Sequence, residues 1–387
     1  MPALGINRNR TYHLPRLSEM KKLFWERAFD SVGTDLVTIF IPIYLLKLHY
    51  PIQQVLLFYA LTGLFMTFLN PVGFASILRF GANRTMVLGN VGNVIFFLLL
   101  FALPHWHEPL IALALARGFY SAVYYPAFNA NFVAARAHLR TGQQIGLLNA
   151  ITFVLNGIAP AVGGILAVWL GITWVYIVAV AMIVAGSLPL LVGSEHLRTT
   201  TFTIRKIPWR ACYRDFLANG LYNIPGFAEM ILWPMLISLF IASYAGIGIL
   251  GSVIIIASIA ISLYVGNSED TVGEKKYINQ GVIAGVLGDA GKLLVNGPIG
   301  ITGVNLISGT ASALLASSFV SRYYKNADGE YMLEYTFGME VTHSVAWVAF
   351  FGILTLLATW LSLKEVLLVG IALAIPANLG IRLIRQI

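Results

Sequence analysis

One cysteine, Cys212, stands in 387 residues, so an intrachain disulfide and a cysteine-based metal site are both excluded. Charge is scarce as well. Charged side chains make up 11% of the chain against roughly 25% in an ordinary soluble domain. No phosphate loop, nucleophile–base arrangement or zinc-ligand spacing is present, which leaves chemical catalysis and ATP-driven work without a basis. His105, His107 and Glu108 look superficially like metal ligands, but no further His or Cys lies nearby, so they read as a solvated loop. No cofactor and no resident metal are expected.

The chain is instead rich in apolar side chains, at 58%, with 36 glycines. A soluble fold of this length cannot hide so much apolar surface. The composition therefore rules out a soluble enzyme, a disordered chain and a nucleic-acid binder. Twelve apolar runs of span length follow one another: 23–46, 55–78, 86–103, 110–134, 145–170 and 172–192, then 216–241, 247–265, 277–295, 299–320, 335–360 and 366–384. Each is long and continuous rather than a ten-residue alternation, so helices are expected and barrel strands are not. The run 277–295 is the weakest, being short and interrupted by Gly288-Asp289-Ala290-Gly291-Lys292. The first run is too long and too acidic for the apolar region of a cleaved leader.

The net charge of +8 has an address. Arg and Lys collect on alternate connections, from Arg79 and Arg84 through Arg205, Lys206 and Arg210 to Lys275, Lys276 and Arg382, whereas the opposite loops carry only Lys47 and Lys364. The positive-inside rule then places both termini in the cytoplasm. The expected fold is an all-α, multi-pass inner-membrane protein of twelve transmembrane helices. It divides into an N-terminal six-helix bundle over 1–193, a cytoplasmic linker over 194–215 and a C-terminal six-helix bundle over 216–387.

At that division the chain resembles the major facilitator superfamily, whose pseudo-symmetric halves are six-helix repeats joined by a long cytoplasmic loop. The family signature Gly-x-x-x-Asp-Arg-x-Gly-Arg-Lys is echoed between spans 8 and 9 by Gly266, Asp270, Gly273 and Lys275, with Thr271 and Glu274 replacing the two arginines. Between spans 2 and 3, Arg79 and Gly81 match, Arg84 falls one position late, and Leu78 stands where the acid belongs. Arg117 resembles the buried arginine of the family's fourth helix. In span 5, Gly157, Pro160, Gly163 and Gly164 resemble the Gly-Pro-x-x-Gly-Gly motif of proton-coupled antiporters, and read equally well as a close helix-packing face.

Ionisable groups inside a bilayer are costly and become functional candidates. They are Asp30, Asp35, Arg117, Glu229, Asp289, Lys292 and Glu340. Asp35 lies roughly 20 Å and Arg117 roughly 26 Å from the cytoplasmic end of its span at 1.5 Å per residue. The resemblance puts both on cavity-lining helices, as a switchable pair or as a permanent tie between helices. Burial favours a neutral carboxyl and a neighbouring guanidinium favours the charged form, so a cavity that opens and closes suits a proton-coupling acid. Glu229, flanked by Pro225-Gly226 and Pro234, is the matching candidate in the other half. Asp30 reads as a solvated or capping group, and Asp289 with Lys292 as a self-neutralising pair on a peripheral helix. Glu340 and His343 share a face near the cytoplasmic end of span 11 and suit a gate.

What the resemblance implies is a monomeric secondary transporter. It would work on a small solute by alternating access, driven by protons and inclined to export of amphipathic compounds. The alternatives are uptake of a polar metabolite, or a lipid-moving or sensory role on the same scaffold. The expected partners are the lipid bilayer, a small-molecule substrate and protons, with no nucleic acid.

Overall fold

The computed structural model describes residues 17–104, 110–135, 141–192, 202–241, 243–252, 254–327 and 331–385. His105, His107 and Glu108 lie outside them, and the side chain of Asp270 is not described. Among the described residues the regular structure is all helical, and eight helices are long and apolar enough to cross a membrane.

Helices stand at every predicted span. Span 1 runs Leu17–Thr38 and resumes at Ile41–Lys47, the break falling just before Pro42, which cannot donate a backbone hydrogen bond. Spans 2 to 6 are Ile52–Phe80, Ala82–Ala102, Ile111–Ala135, Thr141–Trp169 and Ile172–Ser187. Span 7 is Trp209–Phe227, a π-helical turn Ala228–Leu232, and Trp233–Ser238. Span 8 is Tyr244–Ser252 and Ile254–Val272. Spans 9 to 12 are Glu274–Lys292, Pro298–Asn326, Met332–Leu357 and Leu363–Gly380.

Two differences from the sequence reading stand out. The helix of span 9 passes unbroken through its glycines, because Gly281, Gly285 and Gly288 face neighbouring helices at close quarters instead of breaking the turn. Span 7 begins at Trp209, inside the segment read as linker. The helical repeat already buries Cys212, Asp215, Phe216 and Asn219 on one face, so those turns belong to the C-terminal half.

The half-repeat is visible in the backbone. Gly81 and Gly273 both take φ of +90°, each immediately before the first residue of a helix, spans 3 and 9. A side chain is strained in that conformation, so the glycine is required at each position.

The halves meet along two helix pairs. Span 2 packs on span 11, where a Cβ added at Gly63 would lie 2.7 Å from the Trp347 ring. Span 5 packs on span 8, where one added at Gly146 would lie 2.6 Å from Gly266 Cα. Gly266 therefore serves a helix crossing, not a loop. Small residues allow such backbone contact, which in a bilayer substitutes dispersion and weak hydrogen bonds for the hydrophobic effect.

Two large apolar clusters cap the molecule, and each draws on both halves. The one at the predicted outer end joins Phe40, Tyr59 and Phe96 to Phe227, Trp233 and Phe351. The one at the predicted cytoplasmic end joins Phe74, Tyr124 and Phe132 to Phe216, Phe319 and Tyr335.

Candidate functional site: a charged cavity between the halves

Between the two clusters lies a cavity of about 390 Å³. Its position follows from the helices that wall it. On span 4 Arg117 falls between Ala116 of the outer cluster and Tyr120 of the inner one. On span 11 His343 and Trp347 fall between Met339 and Phe350 in the same way. The N-terminal half contributes Arg117, Ser121, Tyr125 and Phe153, and the C-terminal half contributes the remaining wall.

The charged wall is built on span 7. Pro225 sits inside the helix and Pro234 follows the π-turn, so regular i to i−4 bonding is interrupted and the turn carrying Glu229 bulges. Bulges of this kind recur at functional sites because they re-aim a side chain without ending the helix. Glu229 meets Lys292 of span 9 in a short ion pair. The Lys292 ammonium also donates to Asp289 Oδ1 at 2.8 Å, and Asn378 of span 12 donates to Asp289 Oδ2 at 2.8 Å. Lys292 is fully buried, whereas the Glu229 side chain keeps 21% of its surface exposed to the cavity. Glu229 Oε1 is buried without a hydrogen-bond partner. Trp233 donates its indole N–H to Asn305 Oδ1 at 2.8 Å, and the Lys292 ammonium stands 5.8 Å from the centre of its ring.

Asp289 and Lys292 are thus not a self-contained pair on a peripheral helix. A single ammonium serves two carboxylates from two helices, and both residues line the cavity. Five acids against two bases within the spans was the available signal: the charges could not all pair one to one.

The N-terminal wall differs from expectation too. Arg117 Nη1 donates to Asn93 Oδ1 at 3.1 Å, Asn93 donates to Thr34 Oγ1 at 3.1 Å, and the guanidinium stands 5.1 Å from the Tyr120 ring centre. Asp35 and Arg117 form no ion pair, and no carboxylate among the described residues comes within ion-pair distance of Arg117. Asp30 is fully buried rather than solvated: Arg27 Nη1 donates to it at 3.1 Å and the Tyr120 hydroxyl at 3.1 Å. Glu26 is equally buried, accepting from Asn90 at 3.1 Å and from the Tyr124 hydroxyl at 2.9 Å. Sequence reasoning missed Glu26, although it lies inside the first apolar run and four residues before Asp30, on the same helix face.

Below the cavity, Asn129 of span 4 donates to Glu340 Oε1 of span 11 at 2.7 Å and accepts from the Tyr324 hydroxyl of span 10 at 2.7 Å. This contact crosses from one half to the other at the predicted cytoplasmic side. His343 lies one turn further on, edge-on to Phe227 at 5.4 Å. Glu340→Ala removes a charge-assisted hydrogen bond worth about 1.5–3 kcal/mol, so the population open to the cytoplasm should rise roughly tenfold to a hundredfold. Labelling of a cysteine placed at Ala127 should accelerate accordingly; an unchanged rate removes Glu340 from the gate.

The remaining predicted residues are dispersed. Arg79, Arg84 and Lys275 are exposed at the predicted cytoplasmic ends. Glu274, at the position where the motif has arginine, is buried and ion-paired with Lys325 at 2.6 Å and Arg322 at 3.5 Å. In span 5 Gly157 and Pro160 are helical, Gly163 crosses the Leu36 carbonyl of span 1, and a Cβ at Gly164 would lie 2.7 Å from the Tyr244 carbonyl.

The model of the Major Facilitator Superfamily matches residues 27–333, most of both halves. The chain belongs to that superfamily. Solved structures agree on the fold of this facilitator. A bacterial homologue of the iron transporter ferroportin, in an outward-facing state with soaked iron, aligns with a TM-score of 0.68 at 13% identity, covering 94% of this chain and 98% of its own. The human organic anion transporter MFSD10 aligns with a TM-score of 0.67 at 10% identity, covering 94% of this chain and 99% of its own. No curated protein sequence matches. The chain is a multi-pass membrane transporter, and identities this low carry the fold and not the cargo.

Proposed function

We propose that this facilitator moves a small amphipathic solute by rocking its halves about the central cavity, with protons as the driving ion. The observation that supports the reading is the Glu229–Lys292–Asp289 triad at the cavity wall. One ammonium cannot fully neutralise two carboxylates. A proton arriving on Glu229 leaves Lys292 to Asp289, and its departure restores the shared arrangement, so the charge of the wall follows the proton. Because the cavity lies between the halves, that change acts where they separate. Asp35 is the proton site offered by the N-terminal half.

A cavity of this volume suits a small organic molecule. Tyr125, Phe153, Tyr222, Phe227 and Trp347 provide an apolar body site, and the span-5 glycines favour export. Uptake of a polar metabolite is the second reading, favoured by Asn223, Asn378 and the opposed charges of the same wall.

A stabilisation screen of soluble metabolites against the purified protein identifies a solute, because a ligand of the native state raises its melting point. Flux of that solute into proteoliposomes should then respond to an imposed pH gradient, and Glu229→Gln should abolish the response. The sign of the effective gradient separates export from uptake. Gradient-driven flux that survives in both Glu229→Gln and Asp35→Asn defeats the coupling proposal.

A further inference from the structure

The cavity presents one incompletely engaged charged group from each half, and the two are of opposite sign. On the N-terminal side Arg117, which lines the cavity, spends one N–H on Asn93 and has no carboxylate partner among the described residues. On the C-terminal side Glu229 gives one oxygen to Lys292, while Oε1 has no partner. A buried carboxylate oxygen without a donor is costly unless something arrives to satisfy it. The remaining titratable groups of the wall are Asp289, Lys292, His343, Tyr125 and Tyr222, and Lys292 pairs with Asp289 as well as with Glu229.

We propose that the solute is a small zwitterion carrying an aromatic or apolar body, its carboxylate held by Arg117 and its ammonium by Glu229. The assignment rests on the cavity being the solute site. Arg117 suits a carboxylate because its planar fork can bind two oxygens at once. Glu229 suits an ammonium because Oε1 is free and the aromatic rings of Phe227 and Trp347 line the same wall, where a cation gains from their faces. Lys292 does not repel that ammonium decisively, since its charge is shared with Asp289, which Asn378 in turn holds in place. Arg117, Lys292, Glu229 and Asp289 carry two charges of each sign, so a zwitterion leaves the wall neutral, whereas a lone cation or anion does not. Such a ligand also ties the halves together through its two ends, so its fit favours the closed arrangement over either open one.

Three probes with one body separate the ends: L-phenylalanine, phenethylamine, which lacks the carboxylate, and 3-phenylpropionate, which lacks the ammonium. Binding to the full-length purified protein is read by calorimetry. Phenylalanine should bind at least about tenfold more tightly than either half-molecule, as loss of a charge-assisted bond requires. Arg117→Gln should bring phenylalanine down to the level of phenethylamine and leave phenethylamine unchanged. Glu229→Gln should bring it down to the level of 3-phenylpropionate and leave that probe unchanged. Arg117→Lys should retain an intermediate affinity, which separates a binding role from a folding defect. Equal binding of phenylalanine and one half-molecule overturns the assignment, as does uniform weakening of all three probes in Arg117→Gln. Failure of all three to bind, alongside a solute from the screen that is not zwitterionic, overturns it and leaves proton-coupled transport standing.

Discussion

Lys292→Met should destabilise the protein by about 3–5 kcal/mol and abolish gradient-driven transport. The ammonium is fully buried and is the only cation beside two carboxylates on different helices. Removing one partner of a buried ionic group leaves the others uncompensated, which costs far more than the group's net contribution to stability. The loss should show as a lower thermal midpoint of the purified protein. The triple variant Lys292→Met, Glu229→Gln, Asp289→Asn, which takes all three charges away together, should recover most of it. If the single and triple variants melt alike, the triad does not act as a unit.

Asp215→Ala should produce a loss of similar size with a different transport phenotype. Asp215 is fully buried and accepts from the Arg385 backbone N–H at 2.7 Å, from Arg385 Nε at 2.8 Å and from the Tyr335 hydroxyl at 2.9 Å. It fastens the start of span 7 to the end of span 12 and to span 11, all within the C-terminal half. The pairing also raises the Arg385 guanidinium further above its ordinary value, against the opposing effect of burial. Alanine strands these donors and should cost about 3–5 kcal/mol. Because the cavity is remote from this lock, solute affinity measured below the melting transition should be unchanged. Weakened binding at low temperature would show that the lock shapes the cavity.

The spans were legible because a bilayer demands continuous apolar length, a constraint that eight helices meet on their own among the described residues. The irregular turn at Glu229 was legible for a similar reason: two prolines nine residues apart announce a disturbed helix locally. The pairings were less so. Lys292 reads as the neighbour of Asp289 three residues away, and nothing in the chain points 63 residues back to Glu229. Asn129, uncharged and unremarkable in sequence, holds Glu340 from 211 residues away. Depth and the resemblance together put Arg117 opposite Asp35, whereas its actual neighbour is an asparagine on span 3. Depth along a span follows from counting residues. Azimuth about the helix axis, which decides who meets whom, depends on how twelve helices pack.

The two apolar clusters that cap the cavity have an electrical consequence. An apolar layer at each end conducts ions poorly, and two in series divide the membrane voltage between them, leaving the compartment in the middle at an intermediate potential. Moving one elementary charge through the whole membrane costs or yields about 2.3 kcal/mol per 100 mV. The zwitterion proposed above would cross both clusters without doing that work, and of the proposed pair only the proton would sample the field.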